Sequence, residues 1–114
     1  MFSAARRLDI RARPGTADEA SRIYRESVLP AARRQPGFQR ALFLVDPITE
    51  RAVSVTQWAT EADLAASETS GYLREQVAKL TPYFATPVVS ELFAVAVASN
   101  GNSAPYPSLP LPSA

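Results

Sequence analysis

The chain has 114 residues and a formal net charge of +1, a length that suits one domain and a charge that offers nothing to nucleic acid or an acidic membrane. It contains neither cysteine nor histidine, which excludes disulfides, Fe–S clusters, thiolate or imidazole metal sites, a histidine-ligated haem and His or Cys catalysis. No metal ion and no cofactor are expected, no apolar run is long enough for a bilayer, and a cytoplasmic location is the expectation.

Residues 2–11 alternate as a first strand. Phe2, Ala4, Leu8 and Ile10 share one face, while Ser3, Arg7, Asp9 and Arg11 take the other. Arg6 interrupts the apolar face. Pro14-Gly15 ends the strand, and Thr16 with Glu19 has the spacing of a capping box. Ala20, Ile23, Tyr24, Ser27, Val28 and Ala31 then recur at helical intervals. Arg22 and Glu26, one turn apart, are expected to pair on the outer face. Pro30 is expected to kink or interrupt the helix near its end.

Pro36-Gly37 opens a hairpin. Its strands are 38–46 and 51–58, joined by Pro47-Ile48-Thr49-Glu50. Both strands are apolar on both faces at their centres, so each face needs a cover. One helical layer supplies one cover, and a second copy of the chain is the simplest source of the other. Thr60 is placed to cap a short helix over 61–66. After a break at 67–71, a longer helix runs over 72–80 with Leu73, Val77 and Leu80 on one side and Glu75 and Lys79 paired outside. Residues 88–97 form the fourth strand, again apolar on both faces. From Ser99 to Ala114, Asn, Gly, Ser and Pro predominate, which predicts a flexible tail beyond a domain at 1–98.

The order is βαββαβ, a split βαβ unit. With it come the Pro36-Gly37-Phe38 lead into the second strand, a third strand ending in Gln57-Trp58, and the acidic helix start Glu61-Ala62-Asp63. In these features the chain resembles the antibiotic biosynthesis monooxygenase (ABM) domains of the dimeric α+β barrel superfamily, over roughly residues 2–97. The resemblance implies a ferredoxin-like α+β fold, an antiparallel sheet with helices on one face. It also implies a homodimer joined sheet to sheet and a pocket between each sheet and its helices. Members include oxygenases that need no cofactor and act on reduced polycyclic phenols, and haem degraders. The haem degraders use a helix-two His and a pocket Asn. Here His is absent and the two Asn are Asn100 and Asn102 in the tail, so the resemblance does not extend to haem.

Five residues are candidates for binding a flat aromatic ligand: Trp58, Tyr24, Tyr72, Tyr83 and Arg6. Trp58 shares a strand face with Ser54 and Thr56. It either lines a pocket or packs as core with its N–H on a carbonyl. Tyr24 lies on the apolar helix face. Tyr72 follows Gly71 at the break, where a lid would sit, and Tyr83 follows Pro82 in a loop. Arg6 either stabilises a phenolate or pairs with a carboxylate such as Glu91. Arg40 poses the same choice. The acidic residues show no catalytic spacing, and no catalytic residue is assigned. Two functions stay open: a cofactor-independent monooxygenase of aromatic or polyphenolic compounds, and a non-catalytic dimeric module that binds a hydrophobic molecule or assembles. A different reaction on the same fold is a third class.

Overall fold

Alternation and helical periodicity translate into ten segments in the computed structural model, which describes residues 3–99. The chain runs β1 (Ala4–Arg11), α1 (Ala17–Ile23), a π-helical turn (Tyr24–Val28), α2 (Leu29–Arg33), β2 (Phe38–Val45) and β3 (Arg51–Trp58). It continues through α3 (Glu61–Thr69), α4 (Tyr72–Leu80), a 3-10 turn (Thr81–Tyr83) and β4 (Val89–Ala94). Phe2 and, of the tail expected over 99–114, residues 100–114 lie outside the described residues. The strands form one antiparallel sheet in the order β2-β3-β1-β4. The helices cover one face, which makes the domain ferredoxin-like α+β. Among the described residues no helix is long and apolar enough to cross a membrane.

Register decides which side chains meet the helices. Ala4 lies opposite Trp58, Arg6 opposite Thr56, Leu8 opposite Ser54 and Ile10 opposite Ala52, and directly opposed residues share a face. These positions all point under the helices. The intervening residues, including Arg7, Asp9, Val53 and Val55, point to the open face. Leu42 pairs with Val55 and Leu44 with Val53, so the open face carries an apolar patch. Leu42, Leu44 and Phe93 are each about half exposed there.

Strand β4 is shorter than expected because β1 supplies its pairing. Ala94 is opposite Ala4, the first residue of β1, and beyond it, among the described residues, only Val95 N–H bonds back, to the Ser3 carbonyl at 2.8 Å. All six residues of β4 are exposed. The helical layer does not reach over this edge.

Of three local expectations, two are corrected and one holds. First, Thr16 sits at the start of α1 but makes no side-chain cap. Its own backbone is near-helical, and its hydroxyl donates to the Arg13 carbonyl at 2.6 Å. The cap comes instead from Glu50 in the hairpin turn, whose carboxylate accepts from Gly15 N at 2.8 Å and Ala17 N at 3.4 Å. An anion at a helix start is favourable. Second, the helix is interrupted near Pro30 as expected, by a π-helical turn just before the proline, and continues through α2. The wider turn lets the chain pass a residue that cannot donate. Third, Lys79 donates to Gln76 Oε1 at 2.9 Å rather than pairing with Glu75. The expected Arg22–Glu26 pair forms at 2.8 Å, and Thr60 accepts from Asp63 N at 3.0 Å. Capped in this way, α3 extends to Thr69, and the break narrows to Ser70-Gly71.

The core divides into two apolar clusters. One gathers Ile10, Ala20, Tyr24, Val28, Ala52, Leu80 and Phe84. The other gathers Ala4, Ala31, Ala32, Trp58, Leu64 and Tyr72.

A candidate binding cavity between sheet and helices

Between the two clusters lies a cavity, walled by β1 and β3 below and by the π-helical turn, α3 and α4 above. Four buried polar side chains occur among the described residues: Arg6, Ser54, Ser67 and Gln76. All four line this cavity. Buried polar groups are costly unless partnered, so their gathering around one space marks it as a site rather than a packing fault. Trp58, Tyr24, Tyr72 and Phe84 form the aromatic part of the wall.

The sheet places Arg6, Ser54, Thr56 and Trp58 on one face by simple alternation. Trp58 is 1% exposed. Its indole N–H donates to Thr56 Oγ1 at 3.1 Å, not to a carbonyl. Its ring meets Phe38 and Tyr72 edge-on, with centroids 5.6 Å and 6.1 Å away. Both contacts have the T-shaped geometry that aromatic pairs favour. Trp58 is therefore a core residue and a wall residue at once.

Tyr24 stacks on Phe43 with centroids 4.6 Å apart, and its hydroxyl lies 2.9 Å from Ser54 Oγ. Burial raises the pKa of the phenol, partly offset by the Ser54 hydrogen bond. Tyr72 opens α4 directly after Gly71, whose φ of +85° suits a residue without Cβ. It is buried rather than a mobile flap. Burial, reinforced by Tyr24, pushes its pKa up to about 12. Both phenols are thus neutral at physiological pH.

Arg6 does not pair with Glu91. Glu91 lies opposite Arg7 and so belongs to the open face. Arg6 instead reaches α3, where Nη2 lies 2.7 Å from Glu68 Oε1. Nη1 donates to Ser90 Oγ at 3.3 Å. The Nη2 contact is an ion pair by distance, but its angle leaves that nitrogen without an aligned hydrogen-bond acceptor. Arg40 lies on the open face and donates to Gln57 at 3.1 Å.

Tyr83 is not brought to the cavity. The 3-10 turn carries it past the end of α4, where it packs against the first cluster. Its carbonyl accepts from Arg13 N at 2.7 Å. Ser67 and Gln76, conversely, join the wall without having stood out in the sequence. The legible signal for Gln76 is spacing: it falls three residues after Leu73 and four before Leu80, on the apolar stripe of α4. Phe93 points to the opposite face and does not fill the space. The cavity holds about 40 Å³, room for one or a few water molecules and well below the ~300–1,000 Å³ of ligand pockets. An aromatic ring therefore enters only if part of the wall moves.

A single antiparallel sheet with helices on one side and an aromatic cavity beneath them defines a ferredoxin-like α+β domain. The profile of the Antibiotic biosynthesis monooxygenase family matches residues 2–79, and the chain belongs to that family. The resemblance carried by Pro36-Gly37-Phe38 and Gln57-Trp58 thus holds. Among solved structures the chain is similar to SnoaB, a cofactor-independent oxygenase from Streptomyces nogalater. The TM-score is 0.71 at 14% identity, over 86% of this chain and 97% of that one. It is also similar to a monooxygenase from the gene ActVA-Orf6 of Streptomyces coelicolor, solved in complex with Nanaomycin D. There the TM-score is 0.65 at 20% identity, over 87% of this chain and 92% of that one. A third is NE2512, a protein of unknown function from Nitrosomonas europaea, with a TM-score of 0.70 at 18% identity, over 88% and 95% of the two chains. At these identities the likeness is one of fold. No curated protein matches.

Proposed function

We propose that this domain, as a homodimer joined through the open sheet face, binds a planar aromatic molecule bearing an acidic oxygen. We further propose that it oxidises a reduced phenol of that type with O2 and no cofactor. One observation carries the reading: all four buried polar side chains converge with Trp58, Tyr24 and Tyr72 on one cavity. Substrate-binding roles fall to Trp58 as a flat wall, to Tyr24 and Tyr72 as neutral donors, and to Arg6 as the cation for an oxyanion. Tyr83 stands outside the set.

The substrate supplies the electrons. A methylene flanked by phenolic rings reacts with one molecule of O2 to give a ketone and one molecule of water. One oxygen atom becomes the carbonyl, and the other leaves as water with the two methylene hydrogens. The carbon gives up the four electrons that O2 takes, so atoms and electrons balance. The Arg6 guanidinium favours the ionised form of the substrate, the form that gives an electron to O2 most readily. The apolar walls keep bulk water from the intermediate. SnoaB and the ActVA-Orf6 protein, described as oxygenases, support the reading by analogy of fold.

One observation favours a second reading, a binding module without catalysis. The cavity phenols both have raised pKa values, and the chain has no histidine. The cavity therefore offers no ordinary base near neutral pH. Titration of the protein with planar phenols, quinones and haem, read by Trp58 fluorescence, tests binding, because Trp58 is the only tryptophan. A saturable quench followed by O2 consumption with the same ligand supports the oxygenase. A quench without O2 consumption leaves the binding module, and no quench removes both.

A further inference from the structure

The Arg6–Glu68 pair separates two spaces. On the inner side, Arg6 lines the cavity between sheet and helices. On the outer side, Glu68 lines a groove of about 390 Å³ between α3 and β4, with Leu64 and Leu92. The groove is open because the helices stop short of β4, whose residues are all exposed.

The two partners are unequally held. The Arg6 side chain is 3% exposed, whereas that of Glu68 is 45% exposed. Glu68 reaches in from the rim near the end of α3, three residues before Gly71 and the break. Its carboxylate neutralises the buried cation at 2.7 Å, yet Nη2 is left without an aligned acceptor. A buried guanidinium prefers a planar, in-line oxygen partner. Glu68 satisfies the charge and not the geometry.

We propose that Glu68 is a built-in stand-in for a ligand's anionic oxygen, and that the site selects planar aromatic acids, as carboxylates or ionised phenols. The ligand oxygen takes the Nη2 position on Arg6, and the Glu68 side chain swings into the groove. Cavity and groove then join into one space large enough for fused rings. This inference rests on the aromatic-binding reading above and adds to it the residue that competes with the ligand's anionic oxygen for Arg6.

The test compares 2-naphthoate with methyl 2-naphthoate, which share ring shape and differ in charge, by quenching of Trp58. Wild type, Glu68→Gln, Glu68→Asp and Glu75→Gln are titrated. Removing the occupant of Arg6 raises the fraction of binding-ready sites, so Glu68→Gln should bind 2-naphthoate at least about five-fold more tightly. The ester should be unchanged. Glu68→Asp keeps the charge but reaches less far, so it should show a smaller gain of the same sign and covers the case in which Glu68→Gln does not fold. Glu75→Gln removes the same charge from the exposed face of α4 and should alter neither ligand. Equal gains for acid and ester, a gain in Glu75→Gln, or no gain overturns this proposal while the aromatic site stands. No quench by either probe in any variant overturns both.

Discussion

Tyr24 of the π-helical turn and Ser54 of β3 join the helical layer to the sheet, hydroxyl to hydroxyl, at 2.9 Å inside the core. The tyrosine ring is held in place by stacking on Phe43. The widened turn that carries the chain past Pro30 is also the segment that presents this phenol to the sheet. Backbone geometry and site geometry are therefore linked here.

Tyr24→Phe should cost about 1 kcal/mol, the usual net worth of a buried neutral hydrogen bond. Ser54→Ala should cost a similar amount. The double variant should lose less than the sum, because each single change strands the other hydroxyl. Urea unfolding of the three variants measures this. Strict additivity would show that the two hydroxyls are not coupled.

Stability should fall in alkali through Tyr72. Its phenol has an ordinary pKa of 10.0, which the unfolded chain keeps, and one of about 12 in the folded protein. Below the unfolded value both states are protonated, and the group has no effect on stability. Between about 10 and 12 the unfolded chain gives up its proton while the folded one keeps it, so unfolding gains as pH rises. Tyr72→Phe should flatten this decline, leaving a smaller slope from Tyr24, whose pKa is raised in the same direction. Denaturation midpoints taken from mildly alkaline pH upward, with phenolate absorbance as a second readout, check the sign. A decline as steep in Tyr72→Phe as in wild type would remove Tyr72 as its source.

Gly37→Ala should be poorly tolerated. Its φ is +78°, and an added Cβ would overlap the Asp63 carboxylate at the start of α3. The left-handed backbone alone costs a non-glycine residue about 1–2 kcal/mol. Asp63→Ala should remove the overlap with the carboxylate but neither the one with the Cβ of residue 63 nor the backbone term, so the double variant should recover only part of the loss. Thermal unfolding of both variants tests this division.

The proposed dimer has a direct test at Leu44, which is 51% exposed on the open sheet face. Leu44→Lys places a charge on that patch. A substitution at so exposed a position should move monomer stability by no more than about 0.5 kcal/mol. Light scattering should give twice 12.3 kDa for wild type and a shift towards 12.3 kDa for the variant. A monomeric wild type would leave the apolar face without its proposed partner.

The order of strands and helices along the chain, the faces of β1 and β3, and the grouping of Trp58 with Ser54 and Thr56 were all determined by the sequence alone. Alternation and helical spacing follow from backbone sterics that act over a few residues. The same spacing placed Gln76 on the apolar side of α4, though it does not say what Gln76 meets. Tertiary structure decided the partners. Glu68 rather than Glu91 reached Arg6, because antiparallel register turned Glu91 to the far face. Glu50 rather than Thr16 capped α1, because the hairpin turn folds back over the helix start. Tyr83 left the site, while Ser67 and Gln76 joined it. Each of these outcomes depends on which elements the topology brings together, and that depends on contacts between residues far apart in the chain.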